Sequence, residues 1–405
     1  MYDLLKDLRI IEGSAFVAAP LGGLTLAQLG ADVIRFDPIG GALDAKRWPL
    51  TAEGASLYWA GLNKGKRSIA IDLGSEEGRD LATALITAPG KDAGVFLTNF
   101  PTKGWLDYAS LKAARDDLIM LNIQGNPDGS TALDYTINCA VGIPFATGEH
   151  GESAPVNHMF PAWDVATGIS AAVGILAAER HRSQTGKGQR IKLALSDVAM
   201  AMVGNLGHIA EAQINGENRP AIGNRLYGAF GRDFVTKDGK RFMVVALTDR
   251  QWHTLVQATG LADELAALES QLGVDFNDVG ARYQCTDAIA PLVETWSSTK
   301  TFGEVANVFD NTGVCWGPYQ SFTEMVANDP RCSAENPVFQ QVEQPGIGSY
   351  LTPGSALHFS ALQRRPVRPA PACIGAHSDE VLAEVLRLND AQIGSLLKRG
   401  IVAKG

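Results

Sequence analysis

Leu8-Arg9-Ile10-Ile11-Glu12, Pro20-Leu21-Gly22-Gly23-Leu24-Thr25-Leu26-Ala27-Gln28-Leu29 and Ala31-Asp32-Val33-Ile34-Arg35-Phe36-Asp37 are three consecutive pieces of one pattern. The first and third are short and rich in β-branched residues. The middle piece is a helix with Leu24, Leu26, Ala27 and Leu29 as its apolar positions, and Gly30 stops it. Strand, helix, strand predicts a βαβ unit, the building block of a parallel sheet. Working outward, the alternation continues through a strand at 67–73, a helix at 76–87, a strand at 94–98, a helix at 111–115 and a strand at 118–123. Such repetition predicts an α/β, doubly wound layer.

Further along, two long helices are expected around 164–182 and 195–213, with the turn Gly186-Lys187-Gly188-Gln189 and a strand at 190–194 between them. From Arg219 to Gly231 the chain turns rich in Gly, Pro and Asn and reads as a linker. Residues 234–245 read as a hairpin with Asp238-Gly239 in its turn, followed by helical segments to about 329. Prolines punctuate 337–371, an extended stretch long enough to return the chain to the first domain, and two short helices end the sequence. The expected division is therefore 1–215, a linker at 216–232, a small α+β domain at 233–330, a second linker at 331–372 and a returning segment at 373–405.

Composition narrows the function. A chain of 405 residues with 45% hydrophobic and 20% charged content can bury a large core. A net charge of -9 argues against general nucleic-acid binding, which needs clustered cations. Five cysteines without a CxxC pair offer neither a disulfide framework nor a zinc motif and fit a reducing cytoplasm. The first residues carry acids and lack the apolar run of a signal peptide, and no stretch has about 18 uninterrupted apolar residues, so no membrane partner is expected.

Asp164 stands out within Pro161-Ala162-Trp163-Asp164-Val165-Ala166-Thr167-Gly168, at the mouth of an apolar segment that has no acid or base before Glu179. Poor hydration would make such a carboxylate more nucleophilic and raise its pKa, whereas an Asp at a helix start can equally serve as a cap. Both readings fit this stretch by itself. The cations of Lys64-Gly65-Lys66-Arg67 and of Lys46-Arg47 suit either phosphate binding or a solvated loop. The first βα turn, Glu12 to Pro20, lacks GxGxxG, although Asp37 imitates the ribose-binding acid of dinucleotide enzymes. GxSxG, HExxH and P-loop motifs are absent, and His150 with His158 is the nearest approach to a metal-spaced histidine pair.

Taken in order, several blocks resemble the class III CoA-transferase family, which includes formyl-CoA transferase, the carnitine CoA-transferases and α-methylacyl-CoA racemase. They are Leu24-Thr25-Leu26-Ala27-Gln28-Leu29-Gly30-Ala31-Asp32-Val33-Ile34-Arg35, Asn63-Lys64-Gly65-Lys66-Arg67-Ser68-Ile69, Thr98-Asn99-Phe100, and Asp164 to Gly168. Gly174 to Ala178 with Thr185 to Gln189, and Gly375 to Leu382, complete the set. Within the family, Glu12 to Gly23, Arg35 to Gly41 and Leu226 to Phe234 are most similar to the branch that moves CoA between the C1 and C4 carboxyls of mesaconyl-CoA.

The resemblance implies a large Rossmann-like domain built from both chain ends, a smaller α+β domain, and an interlocked homodimer. It implies Asp164 as the catalytic nucleophile that carries CoA as a thioester. Coenzyme A enters as part of an acyl-CoA substrate, with no permanently bound cofactor and no metal. Its contacts are expected at Phe16, Val17, Ala18, Arg35, Lys64, Arg67, Ile71, Leu73, Asn99, Phe100, Lys103, Tyr135 and Asn138. Asn224, Arg225 and Arg232 are candidates for the free carboxylate of a diacid, and the glycine-rich stretches 13–23 or 228–231 for the oxyanion. Two departures stand out. Leu133-Asp134 replaces the His-Asp pair of the racemase branch, which removes the expected second base. Asn99-Phe100-Pro101-Thr102-Lys103 lacks the family's phosphate-binding Arg, and Lys103 is the available substitute. Intermolecular CoA transfer to a free acid is the main alternative, ahead of racemisation or silent CoA-ester binding.

Overall fold

The computed structural model describes residues 1–149 and 154–405, so His150 lies outside the described residues. The chain falls into two units. The first comprises 1–141, 158–215 and 330–405, and the second comprises 142–157 and 216–329.

In the first unit the strands are β1 (Arg9–Gly13), β2 (Asp32–Pro38), β3 (Arg67–Ile71), β4 (Val95–Thr98), β5 (Ile119–Gln124) and β6 (Arg190–Ala194). Between them run α1 (Ala18–Gln28), α2 (Leu57–Leu62), α3 (Glu76–Ile86), α4 (Tyr108–Ala114), α5 (Asp134–Ala140) and α7 (Ala162–Thr185), with α6 (Ile143–Ala146) lying in the second unit. After β6 come α8 (Leu195–Asn205) and α9 (His208–Ile214). The helix expected over 195–213 is thus two helices. Gly207 separates them with φ 87, a left-handed conformation that a glycine adopts without strain.

The second unit holds an antiparallel sheet of β7 (Phe230–Val235), β8 (Arg241–Ala246) and β9 (Trp316–Pro318). Helices cover it, and Phe230, Phe234, Phe242, Trp252, Phe276 and Phe309 are buried in its core. β7 starts inside the stretch expected to be linker, because Phe230 and Phe234 supply buried positions that draw the backbone into the sheet. The Asp238-Gly239 turn sits where expected, inside a loop closed by the Thr236 N–H donating to the Lys240 carbonyl.

The chain then returns to the first unit through β10 (Phe339–Gln344) and β11 (Gly348–Pro353), an antiparallel hairpin in what the prolines suggested was extended throughout. It ends at β12 (Val402–Ala403), which pairs antiparallel with β3. The main sheet therefore has the order β12-β3-β2-β1-β4-β5-β6, parallel apart from β12 and drawn from both chain ends. Order reverses between β1 and β4, and the crevice at the carboxyl ends of such strands is where open α/β sheets bind ligands. There the Ala15 N–H donates to Asn99 Oδ1 at 3.0 Å, and Asn99 Nδ2 donates to the Ala15 carbonyl at 2.7 Å.

Beneath that edge lies a buried ionic network. Arg35 Nη2 is 2.8 Å from Asp37 Oδ1 and 3.0 Å from Asp44 Oδ1, and Lys66 Nζ is 2.9 Å from Glu12 Oε1. Asn63 Oδ1 accepts from both Arg35 and Lys66. Burial pulls the Lys66 ammonium down to about 8 against the opposing attraction of Glu12. α1 runs close over this network because residue 23 is glycine; a Cβ there would lie 1.8 Å from Glu12 Oε2. Removing one partner of a buried pair strands the other charge, at a cost of about 3–5 kcal/mol. Lys66→Met should therefore lower the unfolding free energy measured in urea by that order, and adding Glu12→Gln should restore part of it.

Candidate active site

α7 begins at Ala162 after Pro161, whose side chain cannot cap. The cap comes from another element. Asp134, at the start of α5 and 2% exposed, accepts the amide protons of Trp163 at 2.7 Å and Asp164 at 3.0 Å through one oxygen. Its other oxygen is 3.4 Å from His158 Nε2. Asn138 Oδ1 accepts from Trp163 Nε1 at 3.0 Å, and the Tyr135 hydroxyl donates to the Met159 carbonyl at 3.1 Å. Segment 158–163 is thus fastened to α5, and the position of Asp164 with it.

Asp164 is not the cap. Its carboxyl is half-buried and accepts no hydrogen bond among the described residues. Burial first, and the Asp134 charge second, push it up to about 7, while Arg47 acts in the opposite sense. Such a carboxyl exchanges between acid and nucleophile near neutrality and is not committed to any internal partner.

Its direction follows from the packing of α7 on α1. Gly168, one turn beyond Asp164 on the same face, sits so close to α1 that a Cβ would fall 2.8 Å from the Ala18 carbonyl oxygen and 3.0 Å from Leu21 Cβ. Asp164 is thereby aimed at the turn that opens α1. There Phe16 adopts φ 68, a conformation uncommon for a bulky residue, and donates its N–H to Asp44 Oδ2 at 3.1 Å. Val17 precedes α1 without a side-chain cap, so the Ala18 and Ala19 amides of its first turn keep donor capacity. The loop after β2 contributes Arg47, and α2 contributes Tyr58; the electrostatic influence of Asp164 reaches the Tyr58 phenol. By length and composition alone α7 could cross a bilayer, but Ala171, Ala172, Ile175 and Ala178 are buried, as in a core helix.

The structure sorts the residues expected to meet CoA. Phe16, Val17, Ala18 and Asn99 gather at the crevice, with Phe100 following Asn99 and packing 6.2 Å from Phe36. Lys103 is exposed just beyond. Lys64 is 6% exposed with no ion pair among the described residues, and burial pulls it down to about 8, so it is an ammonium that an anion would stabilise. The other expected residues meet internal partners. Arg35 is 1% exposed and occupied by Asp37 and Asp44; it holds the loop that fixes Phe16 and presents nothing to a ligand. Arg67 is engaged by Asp32, Glu380 and Glu384 near the amino ends of the strands, away from the crevice. Ile71 is fully buried and Leu73 packs against the same core. Asn138 is fully buried on Trp163, and Tyr135 anchors Met159. Gly22 and Gly23 permit close helix packing, a structural rather than an oxyanion role. In the second unit, Asn224 bonds Asp233, Arg225 Nη2 lies 2.6 Å from Asp287, and Arg232 lies over Phe234, so the first two are already engaged by carboxylates.

The sequence drew attention to Asp134 and His158 for other reasons, but their meeting at the start of α7 and the place of Tyr58 had no sequence signal, since 30 residues separate Asp134 from Asp164 and no local spacing joins them.

A raised carboxyl pKa lowers stability wherever the group is ionised. In the unfolded chain the group titrates near 3.8, so folding is progressively disfavoured from about that pH up to about 7 and by a constant amount above. Asp164→Asn should consequently raise the melting temperature, by more at pH 8 than at pH 5, as read by calorimetry across that range.

The family model for CoA-transferase family III matches residues 5–378. The chain is 57% identical over 404 residues to a 2-methylfumaryl-CoA isomerase of Chloroflexus aurantiacus, spanning 100% of this chain and 98% of that protein. It is 27% identical to a succinyl-CoA:mesaconate CoA-transferase of Haloarcula hispanica, covering 96% and 97% of the two chains. Among solved structures, a CAIB/BAIF family protein from Brucella suis superposes with a TM-score of 0.76 at 27% identity, over 95% of this chain and 99% of that one. With the family model matching residues 5–378 and a relative 57% identical along the whole chain, this chain belongs to CoA-transferase family III.

Proposed function

We propose that this enzyme moves CoA between the C1 and C4 carboxyls of mesaconyl-CoA, converting 2-methylfumaryl-CoA into 3-methylfumaryl-CoA, with Asp164 as the covalent carrier. The observation that carries the proposal is the Asp164 carboxyl, unbonded, half-buried and pushed up to about 7 beside the α1 turn. The whole-length identity to an isomerase of that name supports the substrate.

Asp164 carboxylate attacks the thioester carbonyl, the C–S bond breaks, and an aspartyl–acyl anhydride forms with CoA thiolate beside it. The thiolate attacks the aspartyl carbonyl, which gives an Asp164–CoA thioester and frees the first carboxylate of the diacid. The diacid's other carboxylate then attacks this thioester and expels the thiolate again. The thiolate takes the acyl group at the new end and releases Asp164. Covalent catalysis splits one exchange into simpler acyl transfers. Holding the diacid in place makes the second attack intramolecular, an advantage of about 7–11 kcal/mol. The oxyanions of these steps are met by the first-turn amides of α1.

The assembly we propose is a homodimer. Leu206 (70% exposed), Ile214 (81%) and Val173 (60%) present apolar area on α7, α8 and α9 and the residues joining them that a second copy would cover. Five free cysteines suit the reducing cytoplasm proposed as its location.

Asp164→Ala should abolish isomerisation while the protein still folds and binds CoA esters. In the wild type, borohydride added during turnover should reduce the Asp164 thioester to an alcohol, seen as a mass change on the peptide that contains residue 164. Labelled free mesaconate should stay out of the product; its incorporation would favour intermolecular transfer instead.

A further inference from the structure

A substrate that exchanges CoA between its own two ends always carries one free carboxylate while the other end reacts. That anion needs a cation or several donors, since an unpaired carboxylate in a crevice is strongly disfavoured. Asn224 and Arg225 are already spent on Asp233 and Asp287.

The geometry points to a carboxylate subsite formed by the Arg47 guanidinium and the Tyr58 hydroxyl, which holds whichever end of the diacid is not reacting at Asp164. The inference rests on the diacid reading above. Two independent observations support it. Arg47 Cζ stands 5.7 Å from the Phe16 ring centroid and 5.2 Å from that of Tyr58, flanked by two aromatic residues. Among the described residues no carboxylate pairs with it, whereas the buried Arg35 nearby is saturated with them. The Tyr58 hydroxyl is itself buried and, beside Arg47, its proton finds no acceptor among the described residues. A buried donor without an acceptor is costly unless a ligand satisfies it.

The loop that bears Arg47 is built to hold it still. Ser56 Oγ donates to the Arg47 carbonyl at 2.6 Å, and the Arg47 N–H donates to the Asp44 carbonyl at 3.1 Å. The Asp44 side chain is in turn bound by Arg35 and by the Phe16 amide. Arg47 also lies near enough to Asp164 to favour its charged form, and burial pushes the Tyr58 phenol up to about 12, so it stays a proton donor at neutral pH. A guanidinium fork and a phenol offer donors that match a planar carboxylate. Because both ends of the free diacid are carboxylates, one such subsite serves both half-reactions and retains the diacid between them.

The test compares two thioesters on one protein, 2-methylfumaryl-CoA as substrate and crotonyl-CoA, which lacks the second carboxylate, as competitive inhibitor. Arg47→Gln should raise KM for the substrate about 10- to 100-fold and leave the crotonyl-CoA inhibition constant within about twofold. Tyr58→Phe should act in the same direction but less, and Arg47→Lys should recover part of the loss. Melting temperatures verify folding of each variant. Equal weakening of both thioesters, or no change in either, would overturn the subsite. Failure of the wild type to isomerise the substrate would instead overturn the function proposed above and leave the subsite to be judged by whether Arg47→Gln weakens binding of the diacid thioester alone.

Discussion

Asp134 and Asp164 meet at the start of one helix, and only Asp134 is hydrogen-bonded there. By accepting the amides of Trp163 and Asp164, it removes the capping work that would otherwise fall to Asp164. The second carboxyl is left desolvated beside a like charge. The two identical groups thus divide their labour, decided by which of them reaches the helix amides. The packing of α7 on α1 at Gly168 then aims the free one, because no side chain intervenes to spread the two helices.

The buried ions serve the same end. Arg35, Asp37, Asp44, Glu12 and Lys66 have lost their hydration, and such clusters seldom add much net stability over apolar packing. What this one does is geometric. It ties β1 and β2, the segment preceding β3 and the loop after β2 into one frame, and its outermost member, Asp44, holds the Phe16 turn in its left-handed conformation. Strain at a turn beside a nucleophile persists when the surroundings over-determine it, and here a carboxylate anchored by an arginine supplies that restraint.

Much of the first unit was legible in the chain. The short, near-continuous buried runs of β1 to β5 and the helices between them follow from local patterning, and a parallel sheet is the arrangement that buries such strands on both faces. Asp164 was legible as an isolated acid before an apolar run. The cations misled because their sequence neighbourhood gives no hint of the carboxylates they meet: Arg67 finds Glu380 and Glu384 more than 300 residues away, and Arg35 finds Asp44 only after the loop folds back. Likewise the hairpin of β10 and β11 was hidden by prolines that flank it, and the break at Gly207 by the apolar residues on either side.

What the sequence by itself determined is the alternation of strands and helices, the family blocks and the isolated acid, Asp164, before an apolar run. These depend on spacing along the chain and on side-chain type. Only the tertiary structure decided which carboxylate caps α7, which arginines are consumed by internal ion pairs, and that Arg47, near Asp164, meets no carboxylate in an ion pair among the described residues. The physical reason is that desolvation and charge pairing depend on distances between segments remote in sequence, and those distances exist only once the helices have packed.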